Sequence, residues 1–125
     1  MNRGHETTSH RAMKHHVAGV LQRRGWVVRF EAKNADVVAF RPGLGRIWCI
    51  ECERSAKWVV RNVEKDQASG ASGVVVVALT EIIASAACRQ VALMLPEIRA
   101  HVMVVVVDQF DEGYVETMME KEPRL

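Results

Sequence analysis

Residues 34–53 read NADVVAFRPGLGRIWCIECE and contain two apolar runs separated by a short loop. The runs at 36–40 and 47–53 are rich in Val, Ile, Phe and Trp, the composition of strands, while Pro42 and Gly43 between them are typical of a tight turn. The pattern predicts an antiparallel hairpin, and this hairpin decides how the rest of the chain is arranged.

The register of this hairpin would bring acidic side chains together. A turn centred between Gly43 and Leu44 pairs Asp36 with Glu51, and alternation along the strand puts Glu53 on the same face. Opposed side chains lie about 4.5–5.5 Å apart, where like charges repel unless something neutralises them. A divalent cation would do so, and oxygen ligands favour Mg²⁺ or Mn²⁺ over zinc. The alternative is that the three acids lie in water at strand ends.

Outward from the hairpin, the sequence predicts an α/β domain with the element order α-β-β-β-α-β-α-β. The first three strands form a meander and the later ones follow helical crossovers, so the sheet is expected to be mixed, with helices on both faces. An acidic tail at about 108–125 is expected either to form a short extension or to stay mobile. The other predicted elements are helices at 7–24, 55–68 and 81–95 and strands at 26–31, 74–79 and 102–107.

Length and composition predict one globular domain covering residues 1–125. The chain is 49% hydrophobic, yet none of its apolar runs is long enough to span a membrane. The first residues lack the apolar core of a signal peptide, so we expect a cytoplasmic protein without a membrane partner. Three cysteines argue against a disulfide framework. Cys49 and Cys52 point to opposite faces of one strand, which disfavours a zinc site.

Charge is distributed unevenly along the chain. Residues 1–65 carry 13 Lys and Arg against 6 Asp and Glu, whereas residues 66–125 carry 4 against 9. The half that holds the acidic cluster is therefore the basic half. Cations around an acidic metal site suit a phosphodiester substrate. The alternative is that these cations belong to ordinary solvated helix faces.

The order of elements, with Asp36 opening the second strand and Glu51-Cys52-Glu53 closing the third, resembles the PD-(D/E)xK nuclease superfamily. The resemblance covers roughly residues 8–107 and implies a restriction endonuclease-like α-β-β-β-α-β core. It also implies that Asp36 and Glu51 bind Mg²⁺ or Mn²⁺, helped by the backbone carbonyl of Cys52. The cation would lower the pKa of an attacking water.

Two positions depart from the family pattern. The family has a Lys where this chain has Glu53, which we expect to ligate a second ion or orient the water. Lys57 is the predicted substitute for the missing catalytic cation, with a solvated or phosphate-contacting Lys as the alternative. In the first helix, where junction resolvases of the superfamily carry a metal-binding Glu, Glu6 and His10 are weak candidates.

The resemblance therefore implies a metal-dependent endonuclease, restriction-like or resolvase-like, that hydrolyses DNA, with RNA as a further possibility. Lys57, Arg61 and Lys65 repeat every four residues and would form one basic stripe along a helix. Cutting both strands would need a homodimer. The alternatives are a nucleic-acid-binding module with weak or absent catalysis, and a purely structural subunit. The predicted DNA-contacting residues are Lys14, Arg54, Lys57, Arg61 and Lys65.

Overall fold

The computed structural model describes residues 6–32 and 35–121. Five strands form one sheet in the order β1-β2-β3-β4-β5, so that β3 lies at its centre. The described elements are α1 (Thr8–Arg23), β1 (Val27–Phe30), β2 (Val37–Phe40), β3 (Ile47–Glu53), α2 (Val59–Ala68), β4 (Gly73–Ala78), α3 (Glu81–Ala92), α4 (Pro96–Arg99), β5 (Val102–Val106), a 3₁₀ turn (Val107–Gln109), α5 (Glu112–Tyr114) and a π-helical turn (Val115–Met119).

The predicted hairpin register is confirmed. Val37 lies opposite Ile50 and Val38 opposite Cys49 in the antiparallel β2–β3 pair. One further step along this register brings Asp36, the residue just before β2, opposite Glu51. The hairpin thus positions the acidic residues that the sequence singled out.

The mixed α/β sheet flanked by helices is also confirmed. Strands β1, β2 and β3 are antiparallel neighbours, whereas β3, β4 and β5 run parallel. The helices divide between the two faces of the sheet, and the side chains of β3 and β4 are buried on both faces. Trp48, Ile50 and Cys52 pack in the cluster that contains α1 residues, whereas Val74 and Val76 pack with α2.

The first helix begins and ends as its sequence predicts. The Thr7 hydroxyl caps the helix by accepting a hydrogen bond from the His10 amide at 3.1 Å. Gly25 follows the last turn with a φ of +86°, a conformation that glycine adopts without steric cost. The buried face includes Val17 and Leu21, whose four-residue spacing places them on the same side of the helix.

Two predicted helix boundaries differ from those observed. Helix α2 begins at Val59 instead of Ser55, and the Ser55 hydroxyl accepts a bond from the Lys57 amide at 3.4 Å in the preceding turn. Such local bonds compete with helix formation. Helix α3 ends at Ala92, and Pro96 starts the separate short helix α4 at a first-turn position, where its missing N–H costs nothing.

The acidic C-terminal segment is folded onto the core as far as Lys121, and residues 122–125 of the predicted tail lie outside the described residues. Phe110, Val115 and Met119 are fully buried in the cluster that also contains α1. Glu120 anchors the end of the segment. Its carboxylate accepts bonds from Arg24 at 2.6 Å and from the Trp26 indole N–H at 3.0 Å. The segment is thus an additional layer over α1.

None of the helices within 6–32 and 35–121 combines the length and the apolar character needed to cross a membrane.

The Glu120 anchor predicts a pH-dependent contribution to stability. The hydrogen bond from Arg24 lowers the pKa of Glu120 below its usual value, so the stabilisation is present above the unfolded-state pKa and is lost as pH falls through the folded-state pKa. We expect Glu120→Gln to lower the free energy of unfolding by about 1–2 kcal/mol at pH 7. The difference from wild type should disappear in acid. Urea unfolding across a pH series measures both effects.

Glu116→Gln is the matched control for this experiment, because the Glu116 carboxylate is 67% exposed and lies 3.8 Å from Arg24. Its stability should stay within about 0.5 kcal/mol of wild type. Equal losses for the two variants would contradict the anchoring role of Glu120.

Candidate active site

Three acidic side chains occupy one end of the sheet, at the carboxyl end of β3. Glu51 and Glu53 are two residues apart and therefore share a face, and they are only 2% and 7% exposed. Both are buried because β3 lies between β2 and β4 with helices against its surface. Burial raises the pKa of both glutamates, and the charge of Asp36 raises them further, so the three carboxyl groups belong to one electrostatic site.

Asp36 is held in place by the strand next to it. Its Oδ2 accepts a hydrogen bond from the backbone N–H of Cys52 at 2.8 Å. Cys52 itself is paired with Val77 in the β3–β4 ladder, and its side chain belongs to the core cluster on the α1 side. Burial raises the pKa of the Cys52 thiol, which favours its neutral form.

The start of the first helix contributes a chain of polar contacts to Asp36. The Nε2 of His10 lies 3.3 Å from Asp36 Oδ2, and its Nδ1 lies 3.0 Å from Glu6 Oε2. The nearby Asp36 carboxylate raises the pKa of His10, because it favours the charged imidazolium. Glu6 and His10, weak candidates in the sequence, are thus brought next to Asp36.

Lys14 is buried behind this chain of contacts. Its ammonium group lies 2.5 Å from Glu6 Oε2 and 2.6 Å from Glu31 Oε2. With only 7% of its side chain exposed, Lys14 pairs with the partly exposed Glu6 and with Glu31, whose side chain is 55% exposed. The structure therefore keeps Lys14 apart from the exposed cations with which the sequence grouped it as a DNA contact.

A fourth acid, Asp66, lies beside Glu51, and the sequence analysis missed it. Asp66 is fully buried. Among the described residues, neither of its carboxyl oxygens has a hydrogen-bond partner, and Glu51 Oε2 has none either. Burial raises the pKa of both groups, and each carboxyl also affects the pKa of the other, so the two titrate as a pair. The sequence signal was present: Val59, Val63 and Asp66 have the spacing of one buried helix face.

Glu53, which stands where the related family has Lys, is positioned by α2. Its Oε2 accepts a hydrogen bond from Asn62 Nδ2 at 2.7 Å. Burial raises the pKa of Glu53 above its usual value. A side chain held this way presents an oxygen ligand or a proton acceptor, but it supplies no positive charge.

The cation nearest to the buried acids is Lys65. Its Nζ lies 3.8 Å from Glu51 Oε2. Lys57, the predicted substitute for the catalytic Lys, is exposed in the turn before α2, with its Nζ 5.0 Å from the centre of the Trp58 ring. Arg61 contacts the same ring, and Arg54 is exposed directly after β3. The basic residues therefore form two groups. Lys65 lies beside the acids, whereas Arg54, Lys57 and Arg61 are exposed.

The chemistry of these side chains suits a hard divalent cation. The potential metal ligands are carboxylate oxygens. Among the described residues, buried oxygens of Glu51 and Asp66 have no hydrogen-bond partner. As the side chains are placed, however, no three His, Cys, Asp or Glu groups among the described residues form a metal-binding cluster. Binding would require the carboxyl groups to be ionised and to turn toward one another. Asp36, Glu51 and Glu53 are the residues that would hold the ion.

Comparison with protein-family models finds no match, and comparison with curated proteins finds none either.

The buried acids predict a stability test for metal binding. Replacing Glu51 by Gln removes a buried acidic group of the same shape, so we expect Glu51→Gln to melt at a higher temperature than wild type without metal. Added Mg²⁺ should stabilise wild type by about 2.7 kcal/mol at a concentration about a hundredfold above Kd, and should not stabilise the variant. Thermal unfolding in EDTA and in MgCl₂, at matched ionic strength, measures both.

Glu64→Gln is the control for Glu51→Gln, because Glu64 is an exposed acid on α2. It should leave the Mg²⁺-dependent shift unchanged. An equal shift in wild type and Glu51→Gln, or the absence of a shift in wild type, would count against a metal site at Glu51.

Proposed function

We propose that this protein is a metal-dependent endonuclease that hydrolyses DNA phosphodiester bonds. The observation that carries the proposal is the burial of Glu51 and Glu53 beside Asp36 at one end of a central strand. Burying several acids together destabilises a protein unless a cation compensates. A divalent ion such as Mg²⁺ or Mn²⁺ is the partner that oxygen ligands favour, and phosphodiester hydrolysis is the chemistry it serves in a basic setting.

The arrangement of elements supports the proposed relation to the PD-(D/E)xK superfamily. A helix, an antiparallel meander of three strands, a crossover helix and a parallel strand follow in the order expected of the restriction endonuclease-like core. Asp36 and Glu51 lie at the positions that this relation gives to the metal ligands. The family's fold and activity are part of the proposal, and they rest on this order together with the acidic site.

Each residue of the site has a proposed role. Asp36 and Glu51 hold the ion, which when bound would polarise a phosphate oxygen and acidify water. Glu53, oriented by Asn62, accepts a proton from the attacking water or completes the ligand set. Lys65, already 3.8 Å from Glu51, is the cation best placed to steady negative charge on the phosphate. This role was predicted for Lys57, which lies instead with the exposed cations.

The substrate surface is proposed to run along the exposed side of α2 and the turn before it. Arg61 is exposed on the helix that positions Asn62 and Lys65, and Arg54 and Lys57 are exposed in the segment between β3 and that helix. Phosphate contacts by such residues supply affinity that weakens with salt. A homodimer remains the predicted means of cutting both strands.

A nucleic-acid-binding module without catalysis is the second candidate. The contact between His10 and Asp36 favours it, because Asp36 raises the pKa of His10, and an imidazolium 3.3 Å from Asp36 Oδ2 would supply positive charge where a metal ion would otherwise bind. The presence of Glu53 where the related family has a catalytic Lys also favours a binding module, because Glu53 supplies no positive charge. The two candidates share a substrate and differ in whether the bond is cut.

Cleavage of labelled DNA separates the two candidates. Duplex, single-stranded, flap and four-way-junction substrates are incubated with Mg²⁺, Mn²⁺ or EDTA. We expect metal-dependent cutting that falls about a hundredfold or more in Asp36→Asn and in Glu51→Gln, because each removes a charged ligand that stabilises the transition state. Glu64→Gln should cut at the wild-type rate. DNA binding without cutting under either metal would establish the binding module instead.

A further inference from the structure

Trp58 is an exposed aromatic side chain at the edge of the candidate active site. It is 48% exposed, whereas Trp26 and Trp48 are 3% and 7% exposed in the core. A tryptophan ring carries a large apolar area that is usually buried. Trp58 is therefore the tryptophan whose ring is open to a ligand.

Two cations lie against this ring. Lys57 Nζ is 5.0 Å and Arg61 Cζ is 5.4 Å from the ring centre, distances typical of cation–π contacts. Both residues are themselves exposed. A half-exposed aromatic ring beside two exposed cations complements a ligand that combines a flat π surface with negative charge, and a nucleotide has both.

Trp58 is also connected to the acidic site through one turn of helix. The Asn62 backbone N–H donates to the Trp58 carbonyl at 2.9 Å, and the Asn62 side chain donates to Glu53 at 2.7 Å. One helical turn rises about 5.4 Å, so the backbone of Trp58 lies one turn away from the residue that binds Glu53. A base on Trp58 and a phosphate at Glu53 would belong to the same or neighbouring nucleotides.

We infer that Trp58 is a stacking platform for an unpaired base, and that the substrate class of this site is single-stranded DNA or DNA with unpaired bases, such as a flap or junction. This inference rests on the proposed function. Bases inside a duplex are already stacked on their neighbours and would have to be extruded at a cost. An unpaired base offers its π face directly, while Lys57 and Arg61 pair with the flanking phosphates.

The test measures stacking separately from cleavage. In EDTA, where no metal-dependent cutting occurs, a labelled oligothymidylate and an abasic oligonucleotide of equal length are titrated with protein and followed by fluorescence anisotropy. Wild type should bind the oligothymidylate about tenfold more tightly than the abasic strand, since stacking on an aromatic side chain is worth that much per base. The oligothymidylate should also quench the intrinsic tryptophan fluorescence.

Variants isolate the contribution of the ring. Trp58→Ala should bind both strands with the affinity that wild type has for the abasic strand, and should lose the quenching. Trp58→Phe should retain most of the tenfold preference. Arg61→Ala should weaken binding of both strands equally and reduce the salt slope by about 0.7, the effect of one lost phosphate contact. Arg89→Ala, an exposed cation on α3, is the control and should change neither.

Each outcome bears on a separate claim. Equal affinity of wild type for the two strands, or an unchanged preference in Trp58→Ala, would overturn the stacking inference even if the protein cuts DNA. A base-dependent preference lost in Trp58→Ala would support it even if no metal permits cleavage, in which case only the nuclease proposal fails. Binding of neither strand would overturn the inference, and would direct attention to a protein partner for the exposed ring.

Discussion

The central position of β3 is the constraint on which the rest of the site depends. The strand has β2 on one side, β4 on the other and helices against its surface, so its side chains are buried whatever their polarity. Glu51 and Glu53 are consequently taken out of water together. Their neighbours follow from that requirement: Asn62 donates to Glu53, Lys65 approaches Glu51, and the buried Asp66 lies beside Glu51. The chain has built polar structure around two acids where an apolar core would have been more stable.

This loss of stability is informative because the same strand has an ordinary apolar face on its other side. The other face of β3 carries Trp48, Ile50 and Cys52 in an ordinary apolar cluster. There the packing is close enough that a Cβ on Gly73 would clash with the Trp48 ring, its Cε3 lying 2.8 Å away. One strand thus presents a well-packed apolar face to α1 and a face with buried acids to α2. Local departures from good packing chemistry tend to mark functional sites, and here the departure is confined to one face and one end.

Much of the fold follows from short-range sequence patterns, and the parts that do not follow depend on tertiary packing. The hairpin register was predictable because the loop and the alternation along both strands agree on one pairing. Helix α1 was predictable from Thr7 and Gly25. In contrast, the acidic composition after Asp108 concealed Phe110, Val115 and Met119, whose burial depends on the surface of a helix that lies far away in sequence. Composition describes the exposed majority of such a segment and overlooks the few side chains that anchor it.

The candidate site shows the same division. The acids of the hairpin could be placed from sequence because local register fixes them, but the cations could not. The four-residue repeat of Lys57, Arg61 and Lys65 suggested one stripe, yet α2 begins only at Val59, so Lys57 belongs to the preceding turn.

Helix α2 is the element that combines these features. Val59, Val63 and Asp66 lie on its buried side, while Arg61 lies on its exposed side next to Trp58. Asn62 and Lys65 lie between the two sides and reach the acids of β3. A rotation of the helix about its axis would displace Asn62 from Glu53 and move the aromatic and basic surface relative to the acids. The packing of Val59 and Val63 against the sheet therefore fixes the position of the exposed side of α2 relative to the acidic site. Neither valine would itself contact a substrate.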